Sequence, residues 1–220
     1  MKDPKWHITI VTSDGSWMQR HVERLHTALA ETHLVTTHHR HEDVTVCDIA
    51  IYLSYLRIVP ADVLGRARSN VVVHASDLPR GRGMSPMTWQ ILAGARSIPV
   101  TLFEAVEALD AGPIYLQRHM DTVGNELLPE LREALAVITV DMCLEFVARF
   151  PTILAEGRPQ RGESSVHPRR RPDDSRLDPR APLAEQFDLL RVVDNKRYPA
   201  FFTYRDRTFK LTIEPAEDDD

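Results

Sequence analysis

The residues of this chain best placed to do chemistry lie in two short stretches, Val72 to Pro86 (VVHASDLPRGRGMSP) and Asp110 to Ile114 (DAGPI). His74 closes a β-branched run, NVVVH from Asn70, that reads as a buried strand. Ligands of open α/β sheets bind beyond the carboxyl ends of the strands, so a histidine there is placed to meet one. Gly81 and Gly83 flank Arg82, with prolines at 79 and 86. That is a backbone built to bend closely around something, with a cation in the bend. Asp110 precedes a glycine-containing turn and could return to the same sheet edge, where it and His74 would form an acid–base pair. Taken singly, each has an ordinary alternative: a histidine at a strand end is commonly a satisfied polar residue, and an aspartate before a turn glycine a turn-former. Only their joint placement with the surrounding pattern lifts them above those readings.

The elements that must carry these residues alternate. Strands are expected at His7 to Thr12, Leu34 to Thr36, Asp48 to Ser54, Asn70 to His74, Ile98 to Phe103 and Pro113 to Gln117. Between them, Ser16 is a candidate cap for a helix with Val22, Leu25 and Leu29 on one face. A short helix is expected at Ala61 to Ala67, and another at Pro86 to Ala93 with proline in its first turn. Leu131, Leu135, Ile138, Met142, Phe146 and Phe150 trace one face of a long helix. Val- and Ile-rich strands separated by helices predict an α/β fold, a Rossmann-like, mostly parallel sheet with helices on both faces. From Gly157 to Pro182 the texture changes to Arg, Asp and Pro without apolar periodicity, a long connection. A helix is expected at Leu183 to Val193, then a hairpin of Ala200 to Tyr204 and Thr208 to Ile213 turning at Arg205-Asp206-Arg207, and a frayed acidic tail, EDDD. The division this implies is a catalytic core at 1–155 and a linker, helix and hairpin at 156–220.

At 220 residues, 43% apolar and 27% charged with a net charge of −5, the chain is an ordinary globular protein with room for one substantial domain. An acidic balance argues against gripping nucleic acid through its phosphates. Cys47 and Cys143 sit in apolar surroundings without metal-ligand spacing and read as buried thiols. No apolar run approaches the roughly 20 residues of a membrane span, and no signal-peptide core is evident, which places the expected site of action in the cytoplasm with no membrane partner. His38, His39 and His41 cluster without supporting Cys or carboxylate spacing, so a solvated loop is expected rather than a metal site. Arg169, Arg170 and Arg171 alternate with Asp173, Asp174 and Asp178, as in an internally paired linker or a substrate-facing loop.

The pattern H-x-S-x-L-P-x-x-R-G-x-x-P is carried by His74, Ser76, Leu78, Pro79, Arg82, Gly83 and Pro86, and D-x-G-x-I by Asp110, Gly112 and Ile114. Together they resemble the folate-dependent formyltransferase family. SIPVTLFEAVEALDAGPIYLQ, RRRPDDSRLD and DNKRYPAFF extend the likeness over nearly the whole chain, to the branch acting on sugar nucleotides, and in particular to formyltransferases of 4-amino sugars such as those of pseudaminic acid synthesis. The resemblance implies an N-formyltransferase that moves a formyl group from 10-formyltetrahydrofolate, without a metal, to the amine of a UDP- or dTDP-linked amino sugar, in cell-surface glycan precursor synthesis. Formylation of methionyl-tRNA or glycinamide ribonucleotide, or non-catalytic binding of folate or nucleotide sugar, are the alternatives. It further implies that His74 stabilises the oxyanion or passes a proton, with Asp110 holding it charged and oriented. The family has Asn two residues before the histidine as a second donor to the formyl oxygen; Val72 stands here. Asn70 shares the face of His74 but lies about 13 Å back along the strand, so Ser76, or an N–H near it, is the candidate replacement.

The matching cofactor stretches are Ser54, Tyr55, Leu56 and Ile58, with Phe103, Glu104, Val106 and Asp110. Leu56, Ile58 and Val106 are either slot walls or core. Ser13, Asp14, Gly15 and Ser16 follow the first strand and either hold a pyrophosphate or cap the helix. Arg80 and Arg82, around Gly81, are the side chains suited to phosphate or sugar. Asn195, Tyr198 and Phe201 are either a substrate-side element or anchors of the hairpin. The long helix from Glu130 and the terminal hairpin are each a candidate homodimer surface.

Overall fold

The computed structural model describes residues 4–216, so the EDDD tail at 217–220 lies outside the described residues. The apolar runs become strands β1 (His7–Val11), β2 (Leu34–His38), β3 (Cys47–Tyr52) and β4 (Ala67–His74), all parallel to one another. After a two-residue strand β5 (Arg82–Gly83), β6 (Ser97–Glu104) and β7 (Ile114–Asp121) complete a six-stranded sheet in the order β2-β1-β3-β4-β6-β7. Strand β6 alone runs antiparallel to both neighbours. β4 is thus interior, and His74 stands at its carboxyl end.

Alternation along the strands divides the core in two. Ile8, Ile10, Ile49, Ile51 and Val71 point to one face, under α1 (Gln19–Ala30) and α4 (Leu128–Ala148). Val11, Ala50 and Tyr52 point to the other, under Val63 of α2 (Ala61–Leu64). α1 buries His21, Val22, Leu25 and Leu29 as one stripe. It starts at Gln19 rather than directly after Ser16, whose hydroxyl instead accepts the Met18 N–H at 3.2 Å. α3 (Pro86–Leu92) has proline in its first turn and buries Met87 and Ile91. In α4 the Glu130 carboxylate reaches back to the Leu127 N–H at 2.7 Å, closing the first turn. Cys47 and Cys143 are free and buried, and burial pushes the Cys143 thiol up to about 12.

The arginine-rich connection folds back onto the core. Arg158 and Ile114 exchange backbone hydrogen bonds at 2.7 and 2.9 Å, and β8 (Val166–His167) pairs with β5. Arg170 is buried with its guanidinium over the Trp89 ring and on the Asp174 carbonyl, while Arg169 and Arg171 are exposed.

The helix expected at Leu183 to Val193 is not continuous: a 3-10 turn, Leu183–Gln186, leads into α5 (Phe187–Leu190) of four residues. The Gln186 side chain bonds the backbone of Asp178 and Ala181, tying the 3-10 turn to the connection before it. Val192 and Val193 then enter different clusters, which one helix face cannot serve. Strands β9 (Ala200–Tyr204) and β10 (Arg207–Leu211) form the expected hairpin. Its turn is the two residues Arg205 and Asp206, both at positive φ, and Arg207 pairs with Tyr204 rather than belonging to the turn. Among the described residues no helix is long and apolar enough to cross a membrane.

Candidate active site

Beyond β4 the chain bends so that the Gly81 carbonyl accepts from His74 Nε2 at 2.9 Å. A carbonyl cannot donate, so Nε2 carries the proton there, and Nδ1 is the ring nitrogen left to act. Asp110 sits on the β6–β7 connection with φ of 47°. Its Oδ2 accepts from the Gly83 N–H at 2.8 Å and lies 3.9 Å from His74 Nε2. Two glycines make this approach possible. A Cβ on Gly83 would come within 2.6 Å of the His167 carbonyl oxygen, and one on Gly112 within 1.8 Å of the Glu104 carbonyl oxygen. Neither position can carry a side chain without moving the backbone.

His74 and Asp110 line a cavity of about 540 Å³, a size suited to a small-molecule ligand. The cavity wraps the carboxyl ends of β3 and β4 and reaches both faces of the sheet. On the α2 face its wall includes Tyr52, Val72, Phe103 and the protruding Leu56, Ile58 and Val106. The last three are 60%, 76% and 41% exposed, which places them outside the core and on an open apolar slot. On the α4 face the wall is Trp17, Met87, Leu135, Thr139 and Arg132. Arg132 lies over the Trp17 ring and is held by Asp194 at 3.1 Å. Burial pushes the Asp194 carboxyl up, but the Arg197 and Lys196 amides and the Arg132 guanidinium outweigh it and hold it below the usual range.

Of the residues singled out from the sequence, His74, Asp110, Ser54, Tyr55, Leu56, Ile58, Phe103 and Val106 all face this one cavity. Tyr55 also joins its hydroxyl to the His41 ring at 2.8 Å; His41 is buried in a 3-10 turn and His38 ends β2, so these histidines do not form the solvated loop expected. Among the described residues no group of histidines, cysteines or carboxylates is arranged to hold a metal. Glu104 turns its carboxylate away from the cavity, onto Ser69 Oγ, the Asn70 N–H and, at 3.0 Å, the Tyr115 hydroxyl. Burial pushes that carboxyl up, against the pull of these donors. Ser76 is buried behind His74 with its hydroxyl unpartnered, and it is not on the wall. Asn70 is spent on the Leu64 carbonyl at 2.9 Å, leaving the methyls of Val72 where the resemblance expects a donor.

The residues expected on the substrate side stand at the periphery. Ser13 Oγ accepts the Leu56 N–H at 3.1 Å, tying the first loop to the slot, while Asp14 is exposed. Arg80 is exposed, and Arg82 donates to Gln160 at 2.6 Å. Asn195 pairs with the backbone of Ile213 at 2.9 Å, the Tyr198 carbonyl accepts from Ser175, and the Phe201 ring lies under Arg176. What DNKRYPAFF brings near the cavity is Asp194, and Arg197, which donates to the Gly15 carbonyl at 3.0 Å. Trp17, Arg132, Gln160 and His167 join the site and its supports without belonging to any of the motifs. Trp17, an aromatic directly after the first-strand loop, was the one visible signal. His167 packs on Gly81, and burial, then the nearby His74, holds its pKa below the usual histidine range.

Residues 39–144 match the formyl transferase family model. The chain spans about half the length of the curated relatives it matches. The methionyl-tRNA formyltransferase of Thermodesulfovibrio yellowstonii is 28% identical over 145 residues, 66% of this chain and 47% of that protein. In fold, HypX from Aquifex aeolicus in complex with tetrahydrofolic acid aligns with a TM-score of 0.79 at 21% identity, over 96% of this chain and 38% of that one. A sugar N-formyltransferase from Shewanella aligns with a TM-score of 0.69 at 14% identity, over 96% and 99% of the two chains. The chain is therefore similar to formyl transferases in sequence through the segment that holds His74 and Asp110, and in fold through nearly its whole length.

Proposed function

We propose that this protein transfers the formyl group of 10-formyltetrahydrofolate to the amino group of a nucleotide-linked amino sugar, such as a 4-amino-4,6-dideoxy sugar. The observation that carries the reading is the cavity itself, open on both faces of the sheet with His74 and Asp110 on its wall. A two-substrate transfer needs two sites that meet at the reacting groups. The apolar slot of Tyr52, Leu56, Ile58, Phe103 and Val106 suits the flat ring of a folate, and HypX, similar in fold, was solved in complex with tetrahydrofolic acid. When bound, the folate supplies the activated formyl carbon and a leaving nitrogen that must regain a proton. The α4-side wall, apolar but for Thr139 and Arg132, suits a deoxy sugar with an anionic leader.

Attack by an amine places negative charge on the formyl oxygen, and a donor aimed there typically contributes ~3 kcal/mol. His74 is the side chain on the wall suited to that task, with the Asp110 carboxylate 3.9 Å from its Nε2. The attacking amine also loses one proton while the leaving nitrogen gains one. Asp110 and His74 are the groups placed to accept and return it.

Methionyl-tRNA is the second reading, favoured by the sequence relatives. Against it stand the net charge of −5 and the engagement of Arg170 with Trp89 and Asp174. Incubation with 10-formyltetrahydrofolate and a panel of UDP- and dTDP-linked amino sugars, with methionyl-tRNA alongside, decides between them. A product heavier by one formyl group from one sugar supports the proposal. Formylation of the tRNA alone overturns it.

A further inference from the structure

The connection after α4 reaches the catalytic pair through one side chain. Gln160 Nε2 donates to the carbonyls of Asp110 and Gly112 at 2.8 and 2.9 Å, and its Oε1 accepts from Arg82 at 2.6 Å. A single amide thus bridges two loops that are otherwise separate in the chain. One is the turn that presents the Asp110 carboxylate, with Asp110 in the left-handed region at φ of 47°. The other is the bend whose Gly81 carbonyl holds His74 and whose Gly83 N–H holds Asp110 Oδ2.

The neighbours of Gln160 fix it in place. Arg158 is paired with Ile114 on one side, and on the other Ser165 accepts the Gly81 N–H through its hydroxyl and the Arg82 N–H through its carbonyl, both at 2.9 Å. Gln160 itself is not on the cavity wall.

We propose that Gln160 is a positioning residue, which sets the approach of the Asp110 carboxylate to His74 by locking the Asp110 turn onto the 81–83 bend. The kinetic part of this proposal rests on the formyl-transfer reading; the structural part does not. Misplacing a reacting group by an ångström costs on the order of 100-fold in rate, so the signature is a fall in kcat with binding preserved.

The test uses Gln160→Glu and Gln160→Ala in the full chain. The glutamate keeps the acceptor for Arg82 and loses both donations, so it changes the clamp with little change in volume. The expected result for both variants is a kcat lower by on the order of 100-fold, with tetrahydrofolate affinity and acceptor KM within about twofold. Hydrogen exchange of the Gly83 amide, whose acceptor is Asp110, should quicken by about tenfold or more while Tm stays near wild type. Wild-type kcat with wild-type Gly83 protection overturns the proposal. So does a parallel loss of Tm and folate affinity, which would make Gln160 a general prop. If the unaltered protein formylates no acceptor, the formyl-transfer reading fails, and Gly83 exchange by itself decides whether the clamp exists.

Discussion

At the scale of single residues, the site offers one imidazole on the wall where the resemblance expects two donors. His74 keeps Nε2 on the Gly81 carbonyl, and Val72, its neighbour two residues back on the same face, adds methyls to the wall. Replacing His74 by Ala should lower kcat by roughly 10³-fold, with tetrahydrofolate affinity held within a few-fold because the slot is formed by other residues. Isothermal titration beside a turnover assay checks both. Val72→Asn is the complementary change. An amide there should raise kcat, by up to the ~100-fold of a single oxyanion donor; an unchanged rate would mean that a backbone N–H already serves. His74 and Asp110 stood out in the sequence only through their joint placement within the surrounding motif, since a strand-end histidine and a turn aspartate are each ordinary alone. Gln160 did not, because its partners lie 50, 48 and 78 residues away and no periodicity marks them.

At the scale of elements, the helices that read clearly are those that serve one core. α4 buries Leu131, Met142 and Phe146, which were read from spacing, because the whole helix lies on one face of the sheet. Phe146 is fully buried against Tyr115 and Phe150. Its truncation in Phe146→Ala should therefore cost about 3–5 kcal/mol of stability, visible as a lower urea midpoint at unchanged slope; a loss under ~1 kcal/mol would mean the surrounding rings collapse into the gap. The stretch from Leu183 to Val193 misled for the opposite reason. Phe187, Leu190 and Val193 join one small cluster, but Leu183 is left exposed and Val192 turns to the main core, on either side of the wholly buried Arg191. Spacing reports that residues are buried together only when there is one place to bury them.

At the scale of the molecule, the chain after 156 is strapped to the core by carboxylates that pair with arginines. Arg191 is fully buried, with Glu126 at 2.8 Å and Asp188 at 2.9 Å, and Asp188 also takes Arg96 at 2.9 Å. Burial pushes the Glu126 carboxyl up, but the Val123 and Gly124 amides and Arg191 outweigh it and hold it at about 2. An unfolded glutamate titrates near 4.3, so this group releases its proton more readily in the folded state. The stability it contributes is complete above the unfolded value and is lost as the pH falls through the folded one. The contribution is on the order of 2 kcal/mol after solvent screening. Asp194, also held low, adds to the same acid window. Glu126→Gln should therefore unfold more easily than wild type at pH 7, and the two urea midpoints should converge as the pH is lowered from 5 towards 2. A constant gap across that range would mean the amide loses contacts unrelated to charge. Because the strap carries both Asp194, which steadies Arg132, and the connection bearing Gln160, acid should loosen the site before the sheet. In wild type the Gly83 amide should then lose protection at a higher pH than the amides of β3 and β4. Simultaneous loss at all three would show that strap and core unfold as one unit.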